Sequence, residues 1–247
     1  MGGQAFEVHC GLFVPPSRDS SRAVFAPLHY EPNYAYPLIV WLHGAGSDEW
    51  QLIRIMPMLS MRNYLAVAPR GLRIQGQGQA REAWGWPQQS DDVGEAEQRI
   101  FDAIDVARRK YHVASQRVFL AGCGDGGTMA YRVALSHPER FAGVVSIDGP
   151  LPQGNTPLAQ WTNARRVPLF TAVCRDGQGY PPPRACEDLR LLHSAGMQVT
   201  LRQYPGNQPL SPQVLHDANS WIMELVTGAA DPARDANADD CRRLPRR

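Results

Sequence analysis

The stretch that decides the fold is Arg117-Val118-Phe119-Leu120-Ala121-Gly122-Cys123-Gly124-Asp125-Gly126-Gly127-Thr128-Met129-Ala130. Its first half is an apolar run typical of a buried strand, its glycines predict a tight turn, and apolar residues at helical spacing follow at once. A strand, a tight turn and a helix N-terminus are the setting of the nucleophile elbow G-x-S-x-G, whose serine attacks the substrate. Gly122 and Gly126 occupy the outer positions of that motif. The central position is Gly124, which has no side chain that could attack.

Composition and charge exclude several classes of function. The 247 residues are 43% hydrophobic and 20% charged, so we expect one domain over residues 1–227, followed by a polar, flexible tail over residues 228–247. A formal net charge of +1 does not provide the concentrated positive field that a nucleic-acid partner needs. Because no apolar run reaches the roughly 18 to 20 residues that span a bilayer, no membrane span is expected.

The cysteines indicate a reducing compartment. Five of them are scattered along the chain without C-x-x-C or metal-ligand spacing. Residues 1–6 show neither the basic nor the apolar segment of a secretory signal. We therefore expect reduced thiols in a cytoplasmic protein with no metal and no cofactor.

Predicted strands and helices alternate along the rest of the chain. Besides the strand before the elbow, apolar runs predict strands at 6–14, 22–29, 37–42, 64–68, 141–147, 168–174 and 199–204. Besides the helix after the elbow, helical patterns lie at about 50–60, 91–111, 183–195 and 211–226. The first two strands favour antiparallel pairing. The alternation that follows predicts an α/β fold with a mostly parallel, doubly wound sheet of about seven to eight strands flanked by helices.

Two loops carry further candidates for a site. The run from His43 to Glu49 follows a predicted strand and is rich in small residues, so its backbone can approach a ligand closely. Gly44 and Ala45 are candidates to bind an oxyanion there, although the run also suits an ordinary strand-to-helix turn. Trp84 and Trp86 lie in a second loop, where they would either line a substrate groove or cap the core.

Together these segments resemble the phospholipase/carboxylesterase family of α/β-hydrolases, the small lidless serine esterases that include acyl-protein thioesterases. The resemblance runs from about Tyr36 to Val226 and implies a lidless α/β-hydrolase fold. It rests on matching segments in the same order, Trp41-Leu42-His43-Gly44-Ala45-Gly46-Ser47-Asp48-Glu49, Ala68-Pro69-Arg70-Gly71, Arg117 to Ala130, and Leu201-Arg202-Gln203-Tyr204-Pro205-Gly206.

The resemblance also implies that the catalytic triad is missing. The family's elbow reads L-A-G-F-S-Q-G-G, which places Gly124 at the nucleophile. The family's acid position corresponds to Gln178, and its histidine, in Y-P-G-G-H, corresponds to Gln208. These residues provide no nucleophile, no orienting anion and no general base. Coordinated losses favour a lineage that stopped using the triad, and glycine at the elbow avoids a backbone strain of roughly 1 to 3 kcal/mol.

Two alternatives remain open at this point. The hydrolytic centre could have moved to a displaced carboxylate, Asp125 or Asp176, although the Asp125 position in the family donates its backbone N–H to the oxyanion. Alternatively, Gly122-x-Gly124-x-x-Gly127 matches the G-x-G-x-x-G fingerprint, with Asp148 placed for a ribose contact. The loop from Gly122 to Gly127 would then bind an anion or a dinucleotide.

The prediction that accounts for most of these features is a pseudo-esterase, a non-catalytic relative of esterases. Its expected partners are a small acyl or anionic ligand, a second copy of the chain, or an active homologue. The oxyanion-side groups at Gly44, Ala45 and Asp125 and a groove at Trp84 and Trp86 would form its binding site.

Overall fold

The computed structural model describes residues 21–74, 83–154 and 161–228. The strands are β1 (Arg22–Phe25), β2 (Tyr36–Leu42), β3 (Leu65–Pro69), β4 (Leu72–Ile74), β5 (Ala83–Gly85), β6 (Val113–Cys123), β7 (Gly143–Ile147), β8 (Leu169–Cys174) and β9 (Val199–Tyr204). The helices are α1 (Gln51–Leu59), α2 (Ser90–Lys110), α3 (Asp125–Ser136), α4 (Trp161–Ala164), α5 (Pro182–Ser194) and α6 (Pro212–Thr227), with a 3₁₀ turn at Pro138–Arg140.

The described strands form a mostly parallel main sheet, as the alternation of elements predicts. Seven strands pair in the order β1-β3-β2-β6-β7-β8-β9. The edge strand β1 runs antiparallel to β3, whereas the other neighbours are parallel. The predicted strand at 6–14 and residues 229–247 of the predicted tail lie outside the described residues.

Helices cover both faces of this sheet, which explains why its central strands are apolar throughout. All seven residues of β2 are buried. Its side chains alternate between two clusters, because Leu38, Val40 and Leu42 pack on one face and Ile39 and Trp41 on the other. The first face is covered by α2 and α3, and the second by α1 and α6.

The two long helices bury apolar stripes at helical spacing. On α2 the buried residues follow an i, i+4, i+7, i+8 and i+11 pattern, namely Ala96, Ile100, Ala103, Ile104 and Ala107. On α6 the corresponding stripe is Val214, Leu215, Ala218, Trp221 and Ile222. Within the described ranges no helix combines the length and the apolar character that crossing a membrane requires.

The sheet order places a crevice at the carboxyl ends of β2 and β6. From β2 the chain passes outward to β3 and then returns to β6 on the other side of β2. Loops that leave neighbouring strands in opposite directions open a crevice between them, and ligands of α/β sheets bind there. The loop that follows His43 and the turn at Gly124 meet at this point.

The two-stranded ribbon of β4 and β5 is an element that the sequence did not indicate, because strands of three residues are too short to show a period-two pattern. The ribbon contacts the loop after β2, since the Gly46 N–H donates to the Trp84 carbonyl at 2.9 Å. It therefore belongs to the surroundings of the crevice.

Candidate functional site

The turn at Gly124 keeps the backbone shape of a nucleophile elbow. Gly124 lies between the end of β6 and the start of α3, with φ 57° and ψ −124°. L-residues with a side chain rarely adopt a positive φ of this kind. A Cβ atom placed on Gly124 would meet no heavy atom within 4 Å, so the position faces open space. The turn is thus formed with open space where a side chain of residue 124 would lie.

The outer glycines of the motif are required by close packing. A Cβ atom on Gly122 would lie 2.5 Å from the carbonyl carbon of Gly126. A Cβ atom on Gly126 would lie 2.3 Å from the Leu42 carbonyl oxygen and 2.5 Å from that of His43. The turn therefore sits directly on the carboxyl end of β2, where only glycine fits.

His43 is a buried structural residue. The Gly71 N–H donates to His43 Nε2 at 2.9 Å, so the ring proton is on Nδ1, which donates to the Gly44 carbonyl at 2.9 Å. Burial lowers the pKa of His43, which favours the neutral ring. The His43 carbonyl in turn accepts the indole N–H of Trp86 at 3.0 Å. Both ring nitrogens are thus occupied by backbone groups.

Asp125 is one of the three residues predicted on the oxyanion side, and its side chain is bound by backbone N–H groups of the same region. Its Oδ2 accepts the Trp86 N–H at 2.8 Å, and its Oδ1 accepts the Gly126 N–H at 3.0 Å. Burial raises the pKa of Asp125, and the N–H groups of Trp86, Gly126 and Ala45 oppose that rise. The carboxylate is therefore an internal anion held by the backbone of the elbow and of the loop after β2.

The prediction that Trp86 lines a groove is wrong. Trp86 is 1% exposed, because its indole is packed in the core and bonded to His43. Trp84 is partly exposed on β5, where the Arg70 guanidinium lies 5.1 Å from its ring centroid. Arg70 also binds both oxygens of the buried Glu49, with Nε donating to Oε2 at 2.8 Å. Neither tryptophan is part of the cavity wall described below.

The loops that follow β8 and β9 hold Gln178 and Gln208, which the resemblance aligns with the family's acid and histidine. Gln178 and Gln208 are both exposed. Asp176 is exposed too, and its Oδ2 accepts the Gly206 N–H at 3.0 Å, which ties the two loops together. In the described part of the chain, the cavity wall beside the elbow includes Gly179 but none of these three side chains.

A cavity of about 730 Å³ opens beside Gly124. Its wall joins four charged residues, Asp125, Arg132, Asp148 and Arg184, to an apolar segment, Pro150-Leu151-Pro152. Thr128 and Arg132 follow Gly124 on the same face of α3, four residues apart, and the Thr128 hydroxyl donates to the Pro150 carbonyl at 2.8 Å. Volumes of this size suit small-molecule ligands.

Sequence reasoning missed Arg132 as a site residue and considered Asp148 only as a nucleotide contact. The signal for Arg132 was its helical spacing from Gly124 and Thr128, which puts a cation on the face that the elbow presents. Asp148 follows β7 directly, at the carboxyl edge of the sheet, and adopts φ 55°. Its Oδ1 accepts the Cys174 N–H at 3.0 Å, and burial raises its pKa.

The mostly parallel sheet, the helices on both faces and the turn at the end of β6 define the α/β-hydrolase fold. The sequence profile of the phospholipase/carboxylesterase family matches residues 31–225, so the chain belongs to this family.

Individual relatives are distant. The chain is 23% identical over 221 residues to carboxylesterase SOBER1 of Arabidopsis thaliana, covering 82% of this chain and 96% of that protein. It is 29% identical over 137 residues to NocK of Nocardia uniformis subsp. tsuyamanensis, covering 55% of this chain but only 38% of NocK.

Solved structures share the fold. The crystal structure of Arabidopsis thaliana SOBER1 matches with a TM-score of 0.67 and 20% identity. The match covers 78% of this chain and 100% of the SOBER1 chain. The Bacillus cereus carboxylesterase matches with a TM-score of 0.64 and 16% identity, covering 83% of this chain and 93% of that one.

Proposed function

We propose that this chain is a catalytically inactive member of the phospholipase/carboxylesterase family, a pseudo-esterase whose cavity binds a small molecule without hydrolysing it. The observation that carries the proposal is Gly124. The elbow has the backbone shape and the open space that a nucleophile needs, and the residue there has no side chain. In serine hydrolases the loss of the triad costs roughly 10⁶-fold in rate.

The groups around the elbow offer no replacement for the missing base. Gln178 and Gln208 have neutral amide side chains, which neither take up nor release a proton at any ordinary pH. His43 is fully buried, and both of its ring nitrogens are engaged by backbone groups. In the family this histidine belongs to the oxyanion loop, where its ring does not have to gain or lose a proton. The presence of His43 is therefore explained by packing alone.

A relocated hydrolytic centre has less support. Asp125 is the nearest carboxylate to the elbow, but each of its oxygens accepts a backbone N–H, which lowers its nucleophilicity. Asp176 is exposed and bonded to the backbone of the neighbouring loop. Neither carboxylate has the free, activated geometry that a nucleophile or a general base requires.

Binding of an anion or a dinucleotide at the Gly122–Gly127 loop also has less support. The N-terminus of α3 already holds the Asp125 carboxylate, which accepts the Gly126 N–H. Gly126 packs on the carbonyl oxygens of Leu42 and His43. A glycine is needed there because the two backbone segments lie so close together, and no ligand is required to explain it. We therefore place the ligand in the neighbouring cavity.

The test is hydrolysis of short-chain p-nitrophenyl esters by the purified protein, beside an Asp125→Asn variant and a buffer blank. We expect both proteins to hydrolyse the esters no faster than the buffer blank. Turnover above the blank that disappears in Asp125→Asn would overturn the proposal and assign the chemistry to Asp125. Equal turnover above the blank in both proteins would also overturn it, while clearing Asp125.

A further inference from the structure

Arg132 is a buried cation that lacks an acidic partner in the part of the chain that the structure describes. The residue is 8% exposed. Its Nε donates to Gln88 Oε1 at 3.0 Å, and its Nη2 donates to the Gln153 carbonyl at 3.3 Å. Both acceptors are neutral, and burial lowers the pKa of Arg132 without an opposing acidic group. A buried charge is costly unless it is paired, so an anionic ligand would be favoured beside Arg132.

The guanidinium is held in place and still has donors to offer. Of its five N–H groups, the contacts to Gln88 and Gln153 use two. Gln88 cannot turn its amide away, because its own Nε2 donates to the Trp86 carbonyl at 2.8 Å. The two contacts hold the fork in place, three of its N–H groups take part in neither of them, and Arg132 lines the cavity.

The other cation of the cavity wall is already neutralised. Arg184 Nε lies 3.2 Å from Asp188 Oδ1. Asp188 is 4% exposed, and its second oxygen accepts the Leu151 N–H at 2.9 Å and the Tyr180 hydroxyl at 3.0 Å. Arg184 therefore stabilises the cavity wall through its ion pair with Asp188. Arg132 is the cation of the wall that can bind an anionic ligand.

The surroundings of Arg132 favour one kind of anion. Asp125 and Asp148 line the same cavity, and they would repel a dianion such as phosphate more strongly than a monoanion. The segment Pro150-Leu151-Pro152 provides an apolar wall for a hydrocarbon chain. A planar carboxylate also matches the arginine fork with two parallel hydrogen bonds.

We propose that the cavity binds a monocarboxylate with a short apolar chain, whose carboxylate is held by Arg132 and whose chain lies on Pro150-Leu151-Pro152. The proposal deepens and rests on the proposed function, because it names the ligand class of the same non-hydrolysing cavity. Gln88 is a positioning residue that orients the guanidinium.

The experiment is isothermal titration calorimetry of the full chain with sodium hexanoate, with the neutral isostere hexanamide and with inorganic phosphate. Two variants address Arg132 differently. Arg132→Met removes the charge and keeps an unbranched stem, whereas Gln88→Glu gives Arg132 an internal carboxylate that competes with the ligand. Arg109→Met, an exposed residue on α2, is the control for loss of one positive charge. Thermal unfolding verifies that each variant is folded.

Hexanoate is expected to bind more tightly than either other probe. Its affinity should fall about tenfold or more in Arg132→Met and in Gln88→Glu and stay unchanged in Arg109→Met. Absence of hexanoate binding, equal affinity in folded Arg132→Met or Gln88→Glu and the unaltered protein, or tighter binding of phosphate would overturn the proposal. If Arg132→Met does not fold, Gln88→Glu alone decides.

The same samples separate this proposal from the proposed function. Ester turnover above the blank would remove the pseudo-esterase assignment whatever hexanoate does. No hexanoate binding together with no turnover would overturn only the carboxylate proposal.

Discussion

Two regions around the elbow differ in how tightly their residues are held. The elbow side consists of His43, Trp86 and residues 122–127. The loop side consists of residues 175–179 and 205–208. On the elbow side His43 and Trp86 are almost fully buried, and backbone packs on backbone at Gly122 and Gly126. On the loop side Gln178 and Gln208 are exposed.

The difference shows which parts of an enzyme site are also parts of the core. The elbow-side residues are fixed by backbone packing and by hydrogen bonds within the core, so their positions do not depend on a nucleophile side chain. On the loop side the backbone is also hydrogen-bonded, since the Asp176 N–H donates to the Gly206 carbonyl at 3.0 Å, but the side chains of Gln178 and Gln208 are exposed, and exposed loop side chains tolerate substitution. On the proposed function, Gln178 and Gln208 therefore stand where substitution costs little stability, whereas the elbow is held by its backbone packing.

The largest expected effect is on the elbow side. Gly126→Ala should destabilise the fold by about 4 kcal/mol or more, because its Cβ would lie 2.3 Å from a backbone oxygen that cannot move away. The matched control is Gly206→Ala on the loop side, where φ is 81° and the space is open. It should cost only about 1 kcal/mol, from backbone strain. Chemical denaturation measures both, and equal losses would contradict the comparison.

The next effect concerns the ion pair that supports the elbow side. Glu49 is completely buried and binds Arg70, so Glu49→Gln should cost about 2 to 3 kcal/mol. Arg70 is 30% exposed, and water then solvates part of the charge left behind. Asp176→Asn on the loop side, whose carboxylate is 60% exposed, should cost less than about 1 kcal/mol. The ranking is checked by thermal unfolding, and a larger loss in Asp176→Asn would reverse it.

A smaller effect is expected at the centre of the elbow. Gly124→Ala should cost about 1 to 2 kcal/mol, since the positive φ strains any L-residue although its Cβ has room. Urea denaturation measures this cost. A loss as large as that of Gly126→Ala would mean that the open space beside Gly124 is absent in solution.

The smallest effect is a pH-dependent gain at Asp148. Burial raises its pKa in the folded state, so the folded protein holds the proton more tightly than the unfolded chain. The carboxyl therefore favours folding in acid, and this contribution is lost as the pH rises through the folded-state pKa. Asp148→Asn mimics the protonated group and tolerates φ 55°, so at neutral pH the Tm should rise by about 1 to 3 °C.

The pH profile provides the control for that prediction. The gain in Tm of Asp148→Asn should shrink as the pH is lowered into the range where Asp148 itself binds a proton. A gain that is the same at every pH would assign the effect to the backbone conformation alone.

The sequence revealed the sheet and the elbow but not the cavity wall. Continuous apolar runs and a glycine motif are local signals, so β2, β6 and the turn at Gly124 followed directly from them. The burial of Trp86 depends on a hydrogen bond to His43, which is distant in the chain, so composition could not separate a core tryptophan from a groove tryptophan. Arg132 lies at a visible helical spacing, but its lack of an acidic partner is a property of the folded chain.

The most direct test of the central claim is the rate at which the unaltered protein releases p-nitrophenol from p-nitrophenyl butyrate, measured beside Gly124→Ser and a buffer blank. Both proteins are expected to release p-nitrophenol at the blank rate, because a serine at the elbow has no base at Gln208 to take its proton. Sustained turnover by the unaltered protein, proportional to its concentration and abolished by unfolding, would contradict it.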